Sequence, residues 1–278
     1  LILFFGPAGV GSIYIQTATV FRDPSAWYHV VATIDTTNAT STNRLRLYVN
    51  GVLQTITASS YPAQNATSPL NSNVVHNIGR AASATRYWDG YMAEINFIDG
   101  QALTPSSFGE TNSDGVWMPK SYTGTYGTNG FYLPFTNTTS TTTLGNDSSG
   151  NGNNWTTNNF SLTAGTTYDS MIDSPTDYAS AGNYCVYNPL DVGTNITTSN
   201  ANLSATASTS VNALVRCTTA ISSGKWYWEV TATAGTSYWA ASIVKVISSL
   251  AYASLAAGDS YSYRSEEHTS ELQSRVDI

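Results

Sequence analysis

Hydrophobic and polar positions alternate most clearly between Trp27 and Ile56, in WYHVVATIDTTNATSTNRLRLYVNGVLQTI. In Arg44–Val49 the apolar Leu45, Leu47 and Val49 alternate with Arg44, Arg46 and Tyr48. A period of two buries one face of a strand and leaves the other wet. Asn50-Gly51 comes next, a dipeptide that accepts positive φ at both central positions of a type I′ turn, so Val52–Ile56 is expected to return antiparallel. Trp27–Ile34 is aromatic and β-branched, which predicts a preceding strand joined to Arg44 by the polar loop 36–43.

The same reading predicts strands at Leu1–Phe5, Ile13–Val20, Val74–Ile78 and Phe131–Phe135. A longer strand is expected where Tyr91, Ala93, Ile95 and Phe97 alternate with Met92, Glu94 and Asn96. Thr104-Pro105 supplies an N-cap and a first-position proline, predicting a single helical turn over Pro105–Phe108. Lys225, Tyr227 and Glu229 alternate with Trp226, Trp228 and Val230, which predicts inward-facing tryptophans; Trp27 is likewise expected in a core. No other stretch has a 3.6-residue period, so the expected fold class is all-β.

Composition narrows the function classes. The 278 residues allow one large sandwich or two smaller domains. Charged residues make up 10 % and aromatic residues 12 %, the opposite of a disordered chain. A net charge of −7 offers no basic footprint for nucleic acid, and no apolar run is long enough to insert in a membrane. Cys185 and Cys217 are too few for a zinc site and are expected as buried unpaired thiols, with a disulfide as the alternative. The chain starts at Leu1 as if in mid-strand, which reads as a fragment. Residues 264–278 open with RSEEHTSELQS, which resembles the codon-for-codon translation of a sequencing adapter and is expected to be an artefact of read-through.

Taken together, WYHVV at Trp27–Val31, LRLYVNG at Leu45–Gly51, NIGR at Asn77–Arg80 and WDGYMAEI at Trp88–Ile95 resemble the laminin-G-like version of the concanavalin A-like jelly roll. The resemblance covers residues 1–110 and implies a β-sandwich whose opening strands are missing. Residues 111–183 then read as a turn-rich connector carrying DSSGNGN, a turn found near the start of such modules. From Tyr184, Val215–Cys217 and ISSGKWYWEV at Ile221–Val230 resemble the opening strands of a SPRY domain, implying a partial second β-sandwich over 184–263 with an uncapped edge. FRDPSAWYHVV is similar to the version found in structural proteins of tailed bacterial viruses.

Candidate chemistry is sparse. Glycoside hydrolysis uses two facing carboxylates, and glucanases of this fold carry ExDxxE on one strand. Outside the tail the glutamates are Glu94, Glu110 and Glu229, and none begins that motif. Neither His29 nor His76 accompanies a GxSxG elbow, and GPAGVGS at Gly6–Ser12 lacks the lysine of a P-loop. No catalytic residue is therefore assigned. Asp147, Asn151 and Asn153 are candidate Ca²⁺ ligands, since hard oxygens on a tight loop suit that ion; the alternative is an Asx-turn in which Asp147 caps local amides. Tyr87, Trp88 and Asp89, at a loop-to-strand junction, are candidate ligand-binding residues, because an exposed ring stacks on a sugar while a carboxylate takes its hydroxyls.

The expected function is thus a non-catalytic glycan- or protein-binding module of a virion- or tail-associated structural protein, in an extracellular setting. Its partners would be a cell-surface glycan or protein and other virion proteins. The alternatives are a purely structural decoration protein and, less favoured, a polysaccharide-degrading enzyme.

Overall fold

A computed structural model describes residues 2–5, 13–23, 25–58, 60–67, 69–72, 74–80, 87–163, 169–176, 182–208, 214–220, 225–231, 233, 240–244, 260–264 and 272–277. The Gly6–Ser12 loop and the Ile221–Gly224 half of the SPRY-like motif lie outside these residues. The chain is all-β, and its contacts divide it into two units, 1–183 and 184–278.

In the first unit the strands are β1 (Ile2–Phe5), β2 (Ile13–Thr17), β3 (Val30–Ile34), β4 (Leu45–Val49), β5 (Val52–Leu53), β6 (Ile56–Ala58), β7 (Ile95–Phe97), β8 (Gly109–Thr111), β9 (Trp117–Pro119) and β10 (Phe131–Leu133). Two three-stranded antiparallel sheets, β1-β2-β6 and β3-β4-β5, form the sandwich. Their shared core is Ile15 from β2 with Leu45 and Leu47 from β4, flanked by Ile34, Ile56, Ala58 and Tyr61. The alternation in β4 is realised, with Leu45, Leu47 and Val49 buried.

The turn after β4 fixes that register. Asn50 and Gly51 both take positive φ, at 48° and 78°, and β5 pairs Val52 with Val49. Asn50 also ties the turn to the strand before it. Its N–H donates to the His29 carbonyl (2.8 Å), and its Oδ1 accepts from the His29 N–H (2.8 Å). The Trp117 ring lies on Gly51, where an added Cβ would come within 2.5 Å of it.

Several expectations are corrected. Trp27–Tyr28–His29 lies outside β3, which begins at Val30. The return strand is cut at Leu53; Ile56–Ala58 instead crosses to pair with β2. Arg44, expected on the wet face, is buried. Its guanidinium donates to the carbonyls of Asn38, Ala39 and Pro62, drawing two loops over the edge of the core. Val74–Ile78 forms no strand, and Val75 is 88 % exposed. The strand expected from Tyr91 is reduced to Ile95–Phe97, because Glu94 adopts φ +51° and breaks the extended backbone. Pro105–Ser107 forms the expected turn, of 3₁₀ type. Thr141–Leu144 makes a helical turn that composition does not reveal, closed by reciprocal bonds between Ser140 and Thr143.

Residues 111–183 do not stand apart from the sandwich unit. Strand β10 pairs with β7, Phe131 stacks on Phe97 (5.4 Å), and Trp155 meets Phe131 edge-on (5.0 Å).

In the second unit the strands are β11 (Tyr187–Val192), β12 (Ile196–Ser199), β13 (Ser204–Ala207), β14 (Val215–Cys217), β15 (Lys225–Val230), β16 (Ala240–Val244), β17 (Ser260–Arg264) and β18 (Leu272–Asp277). Among the described residues they form four two-stranded ladders, β11-β14, β12-β13, β15-β18 and β16-β17. Strand β15 pairs antiparallel with β18, Lys225 opposite Asp277 and Val230 opposite Leu272. Trp226, expected inward, is 43 % exposed, and Trp228 is half-buried. The cysteines, expected buried, are exposed, and both are free thiols.

The turn yields a direct test. Gly51→Ala forces a Cβ both into the left-handed region and against Trp117. It should destabilise the protein by about 2–4 kcal/mol in denaturant unfolding. Asn50→Gly, which keeps the turn geometry, should cost clearly less. Equal effects would contradict the register role of Gly51.

Candidate functional site

Two places in the first unit gather functional side chains. The first is the ribbon Tyr87–Met92. Arg80 and Tyr87 form a β-bridge, and the Trp88 N–H donates to the Gly79 carbonyl (2.8 Å). This pairing turns the following side chains outward. Tyr87 is 66 % and Trp88 51 % exposed, and Asp89, Tyr91 and Met92 are exposed beside them. Gly90, at φ +146°, lets the indole fold back over the backbone; a Cβ there would stand 3.2 Å from Trp88 Nε1. The candidate residues Tyr87, Trp88 and Asp89 thus sit together on the surface, joined by Tyr91 and Met92, which alternation had assigned to a strand. A ring face, a ring edge and a carboxylate on one short ribbon can stack a sugar and accept its hydroxyls.

The second place is half-buried and was not singled out from sequence. Glu94 Oε1 accepts from the Tyr132 hydroxyl (3.2 Å) and Oε2 from the Thr176 hydroxyl (2.7 Å). Beside it, Tyr126 donates to Asn96 Oδ1 (2.8 Å), within a run of rings from Phe108 through Tyr122 and Tyr126 to Tyr132. Burial, with the neighbouring tyrosines and carboxylates, pushes the Tyr126 phenol up to about 12, so it stays a donor. Trp27 Nε1 donates to Asp173 Oδ2 (3.2 Å). The left-handed Glu94 is the signal, and sequence gives no hint of it. Hydrolysis of a glycoside needs a second carboxylate facing the first across the scissile bond. Here each Glu94 oxygen is engaged by a protein hydroxyl, so the side chain ties β7 to β10 and to the segment around Thr176.

His29 links this region to the turn. Its Nδ1 accepts from Trp117 Nε1 (3.0 Å), which requires the neutral ring. Burial lowers its pKa, and Glu94 only partly opposes that. His76 is half-buried, and its Nε2 has no hydrogen-bond partner among the described residues.

The DSSGNGN loop follows the Asx-turn alternative. Asp147 Oδ1 accepts from the N–H groups of Tyr132 and Ser149 (both 2.8 Å). Its Oδ2 accepts from the Ser149 hydroxyl and the Asn153 N–H (both 2.9 Å). Asn151 Nδ2 donates to the carbonyls of Gly127 and Gly130, and Asn153 Nδ2 to those of Thr128 and Gly130. A cation at Asp147 would have to displace the N–H and O–H donors that its two oxygens already accept from. Asp147, Asn151 and Asn153 together fasten turn 127–130 to the start of β10. Among the described residues no group of three or more His, Cys, Asp or Glu is placed to hold a metal.

Two outcomes check these roles. Burial pushes the Asp147 carboxyl up, but its hydrogen bonds from Tyr132, Ser149 and Asn153 outweigh that and hold it below the usual aspartate range. A lowered carboxyl stabilises the fold above its unfolded pKa of about 3.9 and loses that contribution as pH falls through the folded value. Asp147→Ala should cost on the order of 2 kcal/mol at neutral pH and flatten acid unfolding below pH 4, whether or not calcium is added. For His29 the unfolded chain binds the proton more readily, so stability should decline as pH drops below about 6.5. Thermal melts at pH 7 and pH 5 should show this decline in the parent and not in His29→Gln.

No curated protein and no solved structure matches the chain. Residues 2–108, which carry the two-sheet sandwich and the Tyr87–Met92 ribbon, match the family described as the Concanavalin A-like lectin/glucanases superfamily, in its Laminin_G_3 form.

Proposed function

We propose that the first unit is a non-catalytic binding module that takes a cell-surface glycan on the Tyr87–Met92 ribbon. The observation that carries this reading is the half-exposed Trp88 ring, set over Gly90 beside Asp89 and Tyr91, on a chain whose residues 2–108 match a lectin-type family. The engagement of both Glu94 oxygens by protein hydroxyls supports binding without catalysis. The likeness of Phe21–Val31 to tailed-virus structural proteins supports an extracellular setting on a virion or its tail.

A second reading, structural decoration of a particle, draws support from the edge strand β5. Val52 and Leu53 are 62 % and 58 % exposed there and offer an apolar ladder edge to another virion protein.

A glycan array probed with the full chain tests the first reading. Binding to a discrete glycan set is expected, with a loss of about tenfold or more in Trp88→Ala, the size of one stacked ring. Binding unchanged in Trp88→Ala removes the ribbon from the account. An empty array, together with binding to virion proteins that Leu53→Lys abolishes, replaces it with the decoration reading.

A further inference from the structure

The second unit carries a pair of thiols that neither the glycan reading nor the sandwich fold uses. Strands β11 and β14 run antiparallel with Tyr187 opposite Cys217, and the Thr218 N–H donates to the Val186 carbonyl (2.8 Å). That register sets Cys185 two residues before the partner of Cys217. Both cysteines therefore project from the same face of the ladder, as diagonal neighbours. They are exposed, and their thiols hydrogen-bond to one another. Val186, next to Cys185 in the chain, is buried. Arg216, the neighbour of Cys217, is turned away and pairs with Asp191 (2.6 Å).

We propose that Cys185 and Cys217 are a dithiol site that closes reversibly to a cross-strand disulfide, with Cys185 as the attacking sulfur and a low-molecular-weight disulfide such as oxidised glutathione as the oxidant. The Cys185 sulfur, as thiolate, attacks one sulfur of the oxidant. It forms a protein–glutathione mixed disulfide and expels one glutathione thiolate. Cys217 gives up its proton to that thiolate or to water and attacks Cys185 Sγ. The second glutathione leaves, and the protein disulfide remains. One disulfide is reduced to two thiols while two protein thiols become one disulfide, so electrons and protons balance.

The surroundings fit this division of labour. Cys217, followed by the side-chain and backbone donors of Thr219 and the Thr218 hydroxyl, holds the Cys185 thiol down to about 5, against the opposing effect of burial. The bond to Cys185 together with burial pushes the Cys217 thiol up, so it keeps its proton until the second step. Tyr187, the titratable group packed beside them, is itself raised by burial and by the two sulfurs and remains a neutral phenol. The ladder also has reason to need a staple. Its register slips between Tyr187 and Val192, leaving two Cα partner pairs to hold the two strands.

Equilibrating the full chain with oxidised glutathione at pH 7 tests the site. The two titratable thiols are expected to fall to none, with loss of two hydrogens by intact mass and recovery of both thiols under dithiothreitol. Cys217→Ser should accumulate the glutathione adduct at Cys185, while Cys185→Ser should react at least about tenfold more slowly. Thiols that stay titratable, or a parent protein that stops at the mixed disulfide, would overturn the proposal. Equal adduct rates in the two variants would overturn the assignment of Cys185 as the attacking sulfur.

Discussion

The first unit depends on one backbone constraint, the paired positive φ of Asn50 and Gly51. A shift of one residue at this turn would rotate Leu45, Leu47 and Val49 out of the core, because strand side chains alternate with a period of two. Three contacts hold the turn in place. Asn50 bonds both backbone groups of His29, His29 accepts from the Trp117 indole, and the Trp117 ring packs against Gly51. Each member of that ring of contacts fixes the next. The Leu45, Leu47 and Ile15 core is then a consequence of register as much as of hydrophobicity.

From this fixed sandwich the polar groups divide into those that fasten and those that face water. Arg44, Asp147, Asn151 and Asn153 are chemically suited to bind ligands, yet each is occupied by backbone amides or carbonyls. Buried polar groups left unpaired cost more than pairing them gains, so loop-rich folds tend to use such residues as internal fasteners. Glu94 follows the same rule by engaging two hydroxyls, and its left-handed backbone is held there by those bonds. The ribbon from Tyr87 to Met92 differs. Its rings and its carboxylate point outward, where a ligand can reach them.

Sequence made the fold class and the central hairpin legible, because both rest on local signals: a two-residue period and an Asn-Gly turn. It was less informative wherever tertiary contacts decide. Arg44 occupied a polar slot in the alternation, yet three loop carbonyls drew it inside. Tyr91 fitted a strand pattern that the conformation of Glu94 interrupts three residues later. Alternation alone places Trp226 inward, but burial of a strand face needs a layer packed on it, and among the described residues β15 pairs only with β18, leaving Trp226 exposed. Tyr87, Trp88 and Asp89 are legible as a surface group because they stand at a loop-to-strand junction. The aromatic company of Tyr91 and Met92 was not legible. The oxygen donors of a loop look the same in sequence whether they face an ion or the chain's own amides, and the bonds that Asp147 accepts from Tyr132, Ser149 and Asn153 appear only in the fold.

The central claim is that ligand recognition belongs to the exposed Trp88 and not to the half-buried tryptophans of the scaffold. Indole N–H signals in ¹⁵N-labelled full chain, followed during titration with a glycan that the protein binds, test it most directly. The account predicts that the Trp88 Nε1–H resonance moves with saturation while those of Trp27 and Trp117, hydrogen-bonded to Asp173 and His29, stay in place. Saturable movement of the Trp117 signal with a stationary Trp88 would contradict it.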